Sequence, residues 1–330
     1  MKFTKIFVIA TILLTAIGSL AVAKAKKTVA SEPKLKIVTT IFPEYDWTRE
    51  ILGSKAKDAE ITLLLDNGVD LHSYQPTFKD IAKISEADVF IYVGGESDEW
   101  VDDVLKSAKN KNLRAVNLLE SLGGAVKEEE VVEGMQGEDE EESEDGEEEE
   151  VEYDEHVWLS LRNAQTLVSA ICEAISDADS ANAREYRENA AKYNRALAAL
   201  DGEYTAAISG AKKHTLLFGD RFPFRYLVDD YGLSYYAAFV GCSAETEASF
   251  ETVVFLAKKL DELTLDYVLQ IESGDGKIPR TIIRSSSKSR GAKILTLDSM
   301  QSTTSKDVKR GATYLGAMQK NLGVLKQALN

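Results

Sequence analysis

Cysteine and histidine are scarce in this chain, which has two Cys (Cys172 and Cys242) and three His among 330 residues. It has no C-x-x-C pair. That argues against a cysteine-built metal site and leaves two buried thiols, in different halves of the molecule, as the expectation. An H-E-x-x-H pair and a G-x-S-x-G elbow are also missing, which removes two common hydrolase constellations. Basic stretches are missing too. The formal net charge of −16 is local: 18 of the 55 acidic residues fall within 128–155, where no Lys or Arg occurs, leaving 37 acids against 39 basic residues elsewhere. With no basic stripe to neutralise phosphates, a nucleic-acid partner has no support.

What is present begins with an export pattern. Lys2 and Lys5 precede an uncharged apolar run, 6–23, and Ala21-Val22-Ala23 and Ala23-Lys24-Ala25 offer small-residue cleavage sites. Residues 1–25 therefore read as a signal peptide, with an uncleaved N-terminal anchor as the alternative for a run of this length. Either reading places the body of the protein outside the cytoplasm, in a periplasm or at the outer face of the cytoplasmic membrane.

From Lys34 onward, short apolar runs alternate with amphipathic stretches, the pattern of parallel α/β units. Strands are expected at 35–40, 61–65, 89–93 and 115–118, and Thr77, after Pro76, is a good helix N-cap. The acidic insert 127–154 has too little apolar content to be ordered. Residues 181–209 hold one Gly and no Pro and predict a helix of about 43 Å, enough to run from one half of the molecule to the other. Strands are expected again at 215–218, 235–240, 267–271 and 294–297, before a final helix over 306–329. The domains expected are an N-terminal α/β lobe (34–180), the linking helix (181–209) and a C-terminal α/β lobe (210–330).

Ligands of open α/β sheets gather outside the carboxyl ends of the strands. His72, in Asp70-Leu71-His72-Ser73-Tyr74-Gln75-Pro76-Thr77, and His156, in Tyr153-Asp154-Glu155-His156-Val157-Trp158-Leu159, each stand where a strand or loop gives way to a helix. A neutral imidazole there suits a borderline transition metal. In the second half Asp220, Glu272 and Asp298 stand at or just past strand ends. His214 precedes its strand and belongs to the opposite edge.

The two histidine segments resemble those of the ZnuA-like substrate-binding proteins of zinc and manganese ABC transporters. The likeness continues, in the family's order, through Tyr231-Gly232-Leu233, Ala292-Lys293-Ile294-Leu295-Thr296-Leu297-Asp298-Ser299 and Thr313-Tyr314-Leu315-Gly316. It implies two parallel-sheet lobes joined by one long helix, with a metal site in the cleft between them. His72, His156 and Asp298 match metal-binding positions of the family. Its third His falls at Gly219, which has no side chain to coordinate, so Asp220 is the substitute expected as fourth ligand and Glu272 the next. The implied cargo is Zn²⁺, with Mn²⁺ as the alternative. The implied role is non-enzymatic: a monomeric extracytoplasmic protein that delivers the ion to a membrane permease. A metal-dependent hydrolase and a surface adhesin are the rival classes. Two features depart from the family. Carboxylates stand where a His-rich loop is usual, and no Cys follows the apolar run to carry a lipid.

Overall fold

The computed structural model of the chain describes residues 34–136, 152–243 and 247–330. The expected export segment, 1–25, and the middle of the acidic insert, 137–151, lie outside the described residues.

The first lobe runs β1 (Lys36–Thr39), α1 (Phe42–Leu52), β2 (Glu60–Leu63), α2 (Phe78–Ser85), β3 (Val89–Tyr92), α3 (Trp100–Ser107), β4 (Arg114–Asn117), α4 (Leu118–Leu122) and α5 (Leu161–Ala178). Its sheet is parallel throughout, in the order β2-β1-β3-β4. The central strand β3 reads Val-Phe-Ile-Tyr and is buried at every position, as a strand covered on both faces must be. Thr77 caps α2 as expected, in a reciprocal capping box with Asp80. Cys172 is buried in α5.

The long helix α6 (Ala183–Ser209) has 27 residues and spans about 40 Å. It buries Tyr186, Ala190, Tyr193, Leu197, Leu200, Tyr204 and Ile208, a stripe at helical spacing. Asn189 donates to the Ile51 carbonyl of α1, and the Tyr204 hydroxyl donates to the Met318 carbonyl near the other end of the chain. The helix thus links the two lobes.

The second lobe follows with β5 (Thr215–Leu217), β6 (Arg221–Phe222), α7 (Arg225–Tyr231), β7 (Ser234–Tyr236), β8 (Phe239–Val240), α8 (Phe250–Glu262), β9 (Tyr267–Ile271), α9 (Lys277–Ser285), β10 (Lys293–Leu297), α10 (Ser305–Lys309) and α11 (Tyr314–Ala328). β5 pairs with β7, β9 pairs with β10, and a bridge from Phe218 to Leu269 joins the two ribbons. Leaving aside the short β6–β8 pair, the order is β7-β5-β9-β10. Both lobes therefore place their strands in the order 2-1-3-4, and in both the topological switch falls between the first and third strands.

Three expectations are corrected. The final helix is broken: Gly311 takes a left-handed φ of 95°, and the Thr313 hydroxyl accepts from the Gly316 amide to start α11 afresh. The strand expected at 235–240 divides into β7 and β8, which pair with different partners. The acidic insert is structured at both ends. The Glu129 amide donates to the Glu152 carbonyl at 2.9 Å and the Gln136 amide to the Ala238 carbonyl at 2.9 Å. Met135 is buried, and Glu130 and Glu133 pair with Arg225 and Lys259 of the second lobe. A few apolar residues and nearby cations suffice to fix these flanks. Among the described residues no helix is long and apolar enough to cross a membrane.

Candidate metal centre

His72 sits in a short 3-10 turn, Leu71–Ser73, beyond the carboxyl end of β2, and His156 immediately precedes another, Val157–Leu159, that leads into α5. In both, an aspartate two residues earlier accepts from the backbone amide of the histidine: Asp70 from His72 at 3.2 Å and Asp154 from His156 at 2.8 Å. The Trp158 indole donates to the Ser299 carbonyl, and the Tyr314 hydroxyl donates to the Trp158 carbonyl. The His156 turn is thereby tied to the loop after β10.

The two rings meet through their Nε2 atoms, 3.1 Å apart. Two nitrogens at about 2.05 Å from a tetrahedral ion would stand about 3.3 Å apart, so little adjustment is needed. Each Nδ1 is committed elsewhere. That of His156 lies 2.9 Å from Asp154 Oδ1, and that of His72 lies 2.9 Å from Ser97 Oγ and 3.4 Å from Glu155 Oε2. Such outer partners fix the ring orientation and leave Nε2 for an ion. Burial and the neighbouring His156 push the His72 pKa down to about 3, so His72 stays uncharged, as a ligand must.

The second lobe reaches the pair through Arg221, Gln301 and Cys242. Arg221 donates to Asp70 Oδ2 at 2.6 Å and to the Ser243 carbonyl at 3.3 Å. Burial works to raise the Asp70 pKa, but the Arg221 guanidinium outweighs it and holds the carboxyl below its usual value. The Gln301 amide, in the orientation that satisfies both ends, spans from Asp70 to His156 Nε2, 3.1 Å away. Cys242, just past β8, offers a sulfur that lies with ligand atoms of His72 and His156 inside a 4.8 Å cluster.

The carboxylates are placed differently from expectation. Asp220 accepts from the backbone amides of Arg221 and Ile271 and is not part of the cluster. Glu272 accepts from the amides and hydroxyls of Ser299 and Ser302; it orders the loop after β10. Asp298 accepts from the Met300 amide at 2.9 Å and also stands outside the cluster. Burial, then repulsion from Glu272, raises its pKa to about 6. Gly219 has no room for a side chain, since a Cβ there would lie 2.9 Å from the backbone of Pro279. His214 is exposed ahead of β5, as expected. Cys242, expected as a buried thiol, is half-buried and lies beside the two imidazoles. The repeated D-x-H spacing, Asp70-Leu71-His72 and Asp154-Glu155-His156, was the available signal for the two supporting aspartates.

The chain is thus a two-lobed parallel α/β protein with a pair of imidazoles at the strand ends. The chain belongs to the ZnuA family, described as zinc-uptake complex component A, periplasmic, whose pattern it matches over residues 37–328. It is 32% identical over 304 residues to the zinc-binding protein AdcA of Streptococcus pyogenes, a match that covers 91% of this chain and 57% of that one. The chain thus spans little more than half the length of such streptococcal relatives. It is also 32% identical to the high-affinity zinc uptake system protein ZnuA of Bacillus subtilis, over 90% of this chain and 88% of the relative. Among solved structures, the Zn(II)-bound ZnuA-like domain of Streptococcus pneumoniae AdcA superposes with a TM-score of 0.68 at 28% identity, covering 90% of this chain and 99% of that one. The metal-dependent lipoprotein YcdH of Bacillus subtilis gives 0.70 at 28% identity, with coverage of 90% and 99%. These relatives are described by zinc binding, zinc uptake or metal dependence.

Proposed function

We propose that this protein captures Zn²⁺ outside the cytoplasm and delivers it, as a monomer, to the membrane permease of an ABC transporter, with Mn²⁺ as the alternative cargo. Residues 1–25 serve in this reading as the export signal or anchor. The observation that carries the reading is the pair of Nε2 atoms 3.1 Å apart, with both Nδ1 atoms held by other groups. His72 and His156 are the first ligands, and Asp298, at the carboxyl end of β10 in the second lobe, is the carboxylate assigned to complete the site. Asp220 and Glu272, with their oxygens taken by backbone amides and hydroxyls, are loop supports. The Asp70–Arg221 pair and Gln301 join the lobes beside the histidines. Release then needs a small shift of one lobe against the other, and the rigid α6 disfavours a wide hinge motion.

Calorimetric titration of chelator-stripped protein with Zn²⁺ tests the reading. His72→Ala and His156→Ala should each weaken binding more than about 100-fold, since even outer partners of a metal ligand are worth 10–100-fold. His214→Ala should leave it unchanged. Near-native affinity in both of the first two variants would refute the reading.

A further inference from the structure

The loop after β8 brings a thiol to the two imidazoles. One ligand atom each from His72, His156 and Cys242 lie within 4.8 Å of one another. In a tetrahedral zinc site, nitrogen and sulfur stand about 3.6 Å apart, so closing the trio on an ion takes a contraction of at most about 1 Å. Three successive residues fix this loop against the site. Gly241 lies on the His156 ring, where a Cβ would be 3.0 Å from Cε1 and 3.1 Å from Nδ1. The Cys242 amide donates to Glu129 Oε1 at 3.3 Å, and Arg221 holds the Ser243 carbonyl at 3.3 Å. A buried carboxylate also stands behind the His72 ring, on its Nδ1 side. Glu155 is 2% exposed, and its Oε2 lies 3.4 Å from His72 Nδ1 without a hydrogen bond. A buried carboxylate oxygen left so is costly unless positive charge stands nearby.

We infer that Cys242 is the third ligand, its thiolate filling the position for which Asp220 was the expected substitute. The inference rests on the reading that His72 and His156 hold the ion. On binding, the Cys242 thiol releases its proton to solvent and a metal–sulfur bond forms. With the Asp298 carboxylate as fourth ligand, the two anionic groups cancel the charge of a divalent ion. A thiolate between two imidazoles is a borderline-soft donor set, which favours Zn²⁺ and disfavours the harder Mn²⁺. The chemistry of the site therefore selects the cargo.

Co²⁺ titration of the full chain reads the sulfur directly. Wild type and Cys172→Ala should develop a near-ultraviolet thiolate-to-cobalt charge-transfer band, and Cys242→Ser and Cys242→Ala should not. In the same two Cys242 variants Zn²⁺ affinity should fall more than about 100-fold, and the preference for Zn²⁺ over Mn²⁺ should shrink with it. Loss of zinc binding in His72→Ala, together with no charge-transfer band in wild type or native zinc affinity in Cys242→Ala, would overturn this inference and leave the histidine reading standing. If His72→Ala and His156→Ala bind zinc like wild type, the underlying reading falls first.

Discussion

In the proposed site Asp154 is not a ligand, yet its removal should weaken metal binding. The carboxylate is 2% exposed, and its Oδ1 lies 2.8 Å from the His156 amide and 2.9 Å from His156 Nδ1. In Asp154→Ala both contacts go, the ring loses the group that sets its tautomer, and a buried N–H is left without an acceptor. Outer-shell changes of this kind weaken metal affinity 10–100-fold, or about 1.4–2.7 kcal/mol. The fold should persist. The Asp154 amide still donates to the Lys127 carbonyl and its carbonyl still accepts from the Tyr226 hydroxyl, both through backbone atoms. Asp154→Asn retains an acceptor oxygen but not the charge, so its loss should be the smaller of the two. Competition titration against a chromophoric zinc chelator, with far-ultraviolet circular dichroism as the fold control, measures both. Zinc affinity in Asp154→Ala within about twofold of wild type would refute the reasoning, as would a greater loss in Asp154→Asn than in Asp154→Ala.

Two further predictions concern the frame around the site. Burial raises the Asp98 pKa from 3.8 to about 7, so the folded state holds a proton that the unfolded chain gives up. That contribution is complete below pH about 4 and lost as pH rises through about 7, on the order of 2–4 kcal/mol; in metal-free protein Asp98→Asn should flatten this fall in Tm, and an unchanged slope would contradict it. Gly219→Ala should cost about 1–3 kcal/mol in urea unfolding through its clash with the Pro279 backbone, with zinc affinity preserved; a neutral result would show that α9 can yield.

The fold was largely legible because its signals are local and periodic. The run Val89-Phe90-Ile91-Tyr92 could be little other than a central strand, and the Gly-poor stretch 181–209 declared a long helix. The breaks were harder to see. Nothing in composition alone separates 306–329 into α10 and α11; Gly311 supplies the left-handed turn, but the Asp46 carboxylate that receives the Tyr314 amide at 2.8 Å comes from the far end of the chain. The site divides the same way. His72 and His156 stood out because strand ends are marked in the sequence. Cys242 and Gln301 did not, because what makes them relevant is the approach of one lobe to the other. Asp220 and Glu272 were plausible as acids at strand ends, but a carboxylate's free valence is decided by which backbone amides lie within reach, and that is a tertiary fact.

The ends of the acidic insert carry a mechanical consequence. One end is pinned at Gln136 to Ala238 beside β8, and the other runs through Glu152 into Asp154, the support of His156. Glu129, six residues before the buried Met135 on the same flank, holds the amide of Cys242. The two described flanks of the insert therefore stand behind different parts of one place, the first behind Cys242 and the second behind His156. A change in how these flanks sit would be felt at both at once.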